Sequence, residues 1–334
     1  MSISSDDYDY NFFHNDTETL DTYNEPSAFQ LYAVVYLTLI FCISMPGNSF
    51  MLWVLLRERA WRITSDVLLL QFTVSNLCFT ATLPFFACNV LHGWIFGEWA
   101  CGIKRGLALL GLNSHVVIIT AMTLHCYVTV VQPSCLPAQT PSKFRVLVAS
   151  IAIWLISAAP SIKLAVNSRV IDFGDVEFCT FGMESLTMMF IDLNVELWLF
   201  FVIPLIIVTF CYIHMWITIK QCREKSYLQP SKSISRATAG FFLCLAPHNI
   251  HVFVESLMVV RAVEYRVEWT HVIRYIVYVT FALTHLYPCL SPMFHMFGAQ
   301  RFRRHLPMPC IASTQNRDGV RSDTSVQFMS LSNE

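Results

Sequence analysis

Charge is scarce in this chain. Asp, Glu, Lys and Arg make up 13% of the 334 residues, against 55% hydrophobic residues and a mean hydropathy of +0.51. Soluble domains hold roughly a quarter charged residues, so a deficit of this size makes lipid the expected solvent for much of the surface. Cysteine is sparse too, and the twelve present form no CxxC pair, which excludes a disulfide-dense scaffold and a zinc ribbon. Neither HExxH nor GxSxG occurs, so the sequence offers no metalloprotease helix and no nucleophile elbow. The first residues are acidic and lack an apolar core, so no secretory signal is expected, and the first apolar run must act as its own insertion signal. No repeat relates one half to the other, which weakens a transporter reading. Finally, Met1 to Gln30 contain no Lys or Arg while holding seven acids: Asp6, Asp7, Asp9, Asp16, Glu18, Asp21 and Glu25. Such a segment buries too little apolar surface to fold alone.

What is present is apolar. Seven runs long enough to cross a hydrocarbon core of about 30 Å as helices lie at 31–56, 66–91, 102–131, 146–163, 193–219, 237–260 and 272–298. The seventh is the least regular, since it carries Arg274, His285, Pro288 and Pro292. The expected fold is an all-α membrane protein. An acidic disordered tail (1–30) precedes a seven-transmembrane helix bundle (31–298). In FGAQRFRRHL (297–306), residues 299–306 form a short amphipathic surface helix, and a disordered cytoplasmic tail (307–334) follows. Thirteen basic residues flank one set of span ends, from Arg57 and Arg59 to Arg303 and Arg304. Seven flank the other set, among them Lys104, Arg105 and Arg169. That bias places the N-terminus outside and the C-terminus in the cytoplasm, as an odd number of spans requires.

Two cysteines then fall in clearly extracellular context, Cys101 at the top of span three and Cys179 in the longest outer loop. Oxidising surroundings make a bridge between them the expected state, with Cys88, in the last turn of span two, as the competitor. Asn15, in the triplet Asn-Asp-Thr, is an N-glycosylation acceptor on the outer tail.

Five features carry a family resemblance: Gly47-Asn48 in span one, Cys101 in span three, Trp154 in span four, Pro204 followed by Tyr212 in span five, and Ala246-Pro247 in span six. Cys101 also stands 25 residues before Cys126, the middle of an HCY triplet, matching the family's interval from bridging cysteine to the centre of Asp-Arg-Tyr. From about residue 30 to 306 the chain resembles a rhodopsin-like G-protein-coupled receptor. Within that family TLPFF (82–86), LHGWIFGEWAC (91–101), FFLCLAPHNI (241–250) and FRRHL (302–306) are similar to chemokine-receptor segments, and MTLHCY is most similar to the XC-type (lymphotactin) receptors.

The resemblance implies a plasma-membrane receptor for a basic chemokine, with a heterotrimeric G protein, arrestin or both at the cytoplasmic face. It implies no cofactor, no enzymatic role and no nucleic-acid partner. An outward acidic tail would raise encounter rates with a cationic protein. Tyr8 and Tyr10, flanked by Asp6, Asp7 and Asp9, are sulfation candidates, and Asp172, Asp175, Glu177 and Glu184 extend the same field. An inert solvating tail is the alternative. In HNIHVFVE, His248, His251 and Glu255 stand at i, i+3 and i+7, near one face of span six, as a polar lining of the ligand cavity. A metal site from these three is a remote alternative, because no further ligand is placed. Phe281 stands where many chemokine receptors have a carboxylate in span seven, so the usual anchor for a ligand amine is missing.

Four departures fall on the activation motifs. His125-Cys126-Tyr127 replaces Asp-Arg-Tyr, and a neutral thiol cannot replace the five donors of a guanidinium. Asn76 replaces the family's sodium-binding aspartate, Leu245 replaces the tryptophan two residues before Pro247, and the Ser291-Pro292 segment replaces Asn-Pro-x-x-Tyr. Two readings follow: a chemokine receptor with reduced G-protein coupling, acting as a scavenger or through arrestin, or an ordinary signalling receptor that tolerates these residues. A transporter or channel is the rival from another class; it would need paired charges at midplane depth.

Overall fold

The computed structural model describes residues 28–59, 63–131, 143–173, 176–182, 185–221, 232–260 and 270–298. Each expected apolar run is helical. The first is α1 (Ala28–Arg57); the second is split into α2 (Thr64–Thr80) and α3 (Leu83–His92); the third is α4 (Gly97–Val131). The fourth is α5 (Lys143–Asn167), the sixth α8 (Lys232–Val259) and the seventh α9 (Thr270–Gly298). The fifth consists of α6 (Leu186–Leu197), a π-helical segment (Trp198–Val202) and α7 (Ile203–Gln221). Among the described residues six of these spans are long and apolar enough to cross a bilayer by composition. The seventh, 29 residues long, has the length but carries Pro288 and Pro292.

The break in the second span has a local cause. Pro84 has no N–H to give the carbonyl four residues back, and the chain turns at Ala81 and Thr82. The Thr82 hydroxyl donates to the Phe79 carbonyl at 2.7 Å, satisfying that turn from the side chain.

The longest helix, α4, is the axis of the bundle and packs against α2, α5, α7 and the segment that follows α5. Its approach to α2 needs a residue without Cβ. A methyl on Gly111 would lie 2.8 Å from the Phe79 backbone nitrogen, and the Gly111 carbonyl accepts from Ser75 Oγ at 2.6 Å. The core beneath is apolar: Met51, Leu55, Phe72, Val116, Ile119 and Phe241 are among its members. The outside of the bundle is apolar as well. On α5, Phe144, Leu147, Ile151, Leu155 and Ile162 are exposed, a surface that fits hydrocarbon and not water.

Two features differ from the sequence expectation. The fifth span begins at Leu186, about two turns before the expected 193, with Ser185 accepting from the Met188 N–H as its N-cap. And the chain is not wholly helical: β1 (Ser168–Phe173) and β2 (Val176–Phe181) form an antiparallel hairpin between α5 and α6. Residues 1–27 of the expected acidic tail, the surface helix (299–306) and the C-terminal tail lie outside the described residues, whereas residues 28–30 already belong to α1.

Candidate functional site

The β hairpin marks one end of the bundle. It is fastened to α4 by a disulfide between Cys101 and Cys179, while Cys88 is a free thiol. Arg105 reinforces the joint by donating from Nη1 to the Cys179 carbonyl at 3.5 Å. The turn before α4 is held from the other side, because the Trp94 N–H donates to the Glu177 carbonyl at 2.6 Å and Trp94 Nε1 donates to the Gly97 carbonyl at 2.8 Å. Gly93 is required here: its φ is +72°, and a Cβ would strike Val176 at 2.4 Å. Lys104, 6% exposed, lies 3.3 Å from the centroid of the Phe86 ring and 5.8 Å from that of Trp94.

The acids at this end have two settings. Asp172 and Glu177 face each other across the hairpin and are exposed. Deeper in, His248 Nε2 lies 3.4 Å from Glu196 Oε1, and His251 Nε2 lies 3.7 Å from Glu255 Oε2. Two further contacts tie the fifth span to its neighbours. Asn194 Nδ2 donates to Ser256 Oγ at 2.8 Å, and Lys163 pairs with Asp192 at 2.6 Å. The structure therefore divides the expected face of span six: His248 reaches across to α6, whereas His251 stays with Glu255 one turn along its own helix. Glu196 was not in the sequence reading. Its only sequence signal is a carboxylate eight residues before Pro204, inside an apolar run. Asp6, Asp7, Tyr8, Asp9, Tyr10, Asn15, Asp175 and Glu184 lie outside the described residues, as does the side chain of Phe281.

The middle of the bundle is a neutral hydrogen-bonded hub. Asn76 Nδ2 donates to Asn48 Oδ1 at 3.0 Å and to Ser291 Oγ at 2.9 Å, and Asn48 Nδ2 donates to the Pro288 carbonyl at 3.1 Å. Three family-type positions, Asn48, Asn76 and Ser291, thus meet in one contact set spanning α1, α2 and α9. Above it a cavity of about 20 Å³ is lined by Asn76, His115, Leu245, Thr284, Tyr287 and neighbouring residues. His115 is buried with its ring 4.2 Å from Phe72 and 4.8 Å from Phe241, centroid to centroid. A sodium ion does not fit this donor set, because no Asp or Glu is buried among the described residues and an amide N–H faces the oxygens an ion would need.

At the far end the activation-motif positions make neutral contacts. Tyr127 Oη and His214 Nδ1 share a hydrogen bond at 2.9 Å, and His125 Nδ1 sits 3.5 Å from Ser65 Oγ. Cys126 packs against Val130, Cys211 and Met215, an apolar cluster between α4 and α7. Tyr212 donates from Oη to Thr238 Oγ1 at 3.4 Å, joining α7 to α8. Leu245 is buried and Pro247 lies inside α8, while Pro292 closes on Gly47 of α1.

A family profile described as the 7 transmembrane receptor (rhodopsin family) matches residues 47–295. The chain belongs to the rhodopsin family of seven-transmembrane receptors. It is similar to chemokine XC receptor 1 of Homo sapiens, 27% identical over 311 residues, covering 92% of this chain and 90% of that one. It is likewise similar to atypical chemokine receptor 2 of Mus musculus, 28% identical over 316 residues and covering 91% and 81%. A third relative, C-X-C chemokine receptor type 2 of Homo sapiens, is 24% identical over 315 residues, with 92% and 87% covered. The receptor is thus a multi-pass membrane protein of a non-enzymatic family, and the transporter or channel alternative is set aside.

Proposed function

We propose that the receptor binds a basic chemokine at its hairpin end, with the N-terminus outside the cell, and that it couples to G proteins weakly. The observation that carries the first part is the anionic, disulfide-braced hairpin end. Asp172 and Glu177 are exposed there, Glu196 and Glu255 are half-buried opposite histidines, and a bridge of this kind forms in oxidising surroundings outside the cell. The acidic residues 6–25 and the names of the relatives agree with it. Encounter between an anionic receptor face and a cationic protein is fast and falls with salt.

Weak coupling rests on the far end. A thiol at Cys126 offers one weak donor where a guanidinium offers five, and its seat between α4 and α7 is apolar. A scavenging or arrestin-directed receptor is the corresponding output, with Ser322, Thr324 and Ser325 as phosphate acceptors and Cys310 as an acylation site. Cells expressing the wild-type chain are screened against a panel of labelled chemokines, with G-protein activation and arrestin recruitment read in parallel. Saturable binding with internalisation and little nucleotide exchange is expected. Robust exchange at low receptor density overturns the weak-coupling reading, and absence of any binding overturns the ligand class.

A further inference from the structure

We propose that Glu196, Asn113 and Asn249 form a deep ammonium site, and that a primary amine of the ligand docks there. The inference deepens the proposed function and rests on its assignment of the hairpin end as the ligand face. The chemistry it names belongs to this chain's fifth span, not to the seventh, where Phe281 removes the expected carboxylate.

Four observations converge. First, a cavity of about 10 Å³, the room of roughly one water, lies between α4, the fifth span and α8, lined by Leu112, Asn113, Val116, Glu196, Phe200, Leu245 and Asn249. An ammonium group is close to water in size. Second, Asn113 is 2% exposed and stands in the wall of this cavity, so a polar carboxamide lines it where an apolar side chain would otherwise do. Third, Asn249 spends its Nδ2 on the Leu245 carbonyl at 3.1 Å, which leaves Oδ1 as its acceptor. Fourth, Glu196 Oε1 lies 3.4 Å from His248 Nε2, so an incoming ammonium takes the carboxylate from an imidazole, which can shed its proton, and not from a Lys or Arg. A carboxylate and two amide oxygens match the three N–H donors of a primary ammonium. The π-helical turn Trp198–Val202 begins two residues after Glu196, and such turns recur at functional sites.

The test needs no chemokine, so its failure is distinct from failure of the proposed function. Leu112→Cys is prepared in nanodiscs and treated with aminoethyl or sulfonatoethyl methanethiosulfonate, and modification of that residue is followed by peptide mapping. The cationic reagent is expected to outpace the anionic one by roughly tenfold more than on a free cysteine peptide, as carboxylate focusing in a cleft produces. Adding Glu196→Gln is expected to abolish the excess, and Asn113→Ala to reduce it. Phe200→Cys reports on the same cavity should the first variant fail to fold. An unchanged reagent ratio after Glu196→Gln overturns the proposal. So does failure of both reagents to reach either cysteine in receptor that melts like wild type.

Discussion

The two ends of the bundle handle polar groups differently. At the hairpin end, carboxylates stand on exposed strands or opposite histidines, and Lys104 is held against aromatic rings. At the far end, the third span finishes in His125, Cys126 and Tyr127, which contact a serine, an apolar cluster and a histidine. The first arrangement leaves charge where the proposed chemokine would meet it. The second joins the helices through contacts among a serine, an apolar cluster and a histidine. Between them the hub of Asn48, Asn76 and Ser291 is neutral and has its own hydrogen bonds, so it needs no ion to stay closed.

The contrast is broken most severely at the disulfide. Cys179→Ala releases a bridge between residues 78 apart in sequence, and loss of a crosslink of that span costs about 4 kcal/mol. A collapse of surface expression and melting temperature is expected, while Cys88→Ala leaves both unchanged. Next comes the hub. Asn76→Ala strands Asn48 Oδ1 and Ser291 Oγ and is expected to cost about 1–3 kcal/mol in a thermal melt. Sodium in place of choline at equal ionic strength is expected to leave the wild-type melt unchanged.

Much of the fold was legible because hydrocarbon imposes a long apolar period on every span, and six of the seven runs needed nothing more. The early start of the fifth span was hidden by Asp192, Asn194 and Glu196, which look like the end of an apolar run. They are accommodated because Lys163, Ser256 and His248 on other helices receive them. The hairpin was missed for a different reason. Its strands SRVIDF and VEFCTF are β-branched and aromatic around Gly174-Asp175, a local signal that the surrounding helical pattern obscured. Cys101 and Cys179 were readable from compartment alone. Asn113 was not, since nothing in one sequence states which buried amide ends beside which carboxylate.

Smaller effects sharpen the comparison at the far end. Cys126→Arg is expected to raise ligand-driven nucleotide exchange above wild type, with some loss of stability from placing a guanidinium beside Val130 and Met215. Unchanged exchange would contradict the proposed role of Cys126 in weak coupling. Tyr127→Phe removes the bond to His214 and is expected to cost about 1 kcal/mol in the melt, leaving chemokine binding unaltered.

The central claim is that the hairpin end and its tail present negative charge to a cationic protein. It is tested most directly by the salt dependence of chemokine binding to wild-type receptor and to a variant with Asp6, Asp7 and Asp9 changed to Asn. Weaker binding with a shallower salt slope in the variant is predicted. Identical affinity and slope in the two receptors would contradict it.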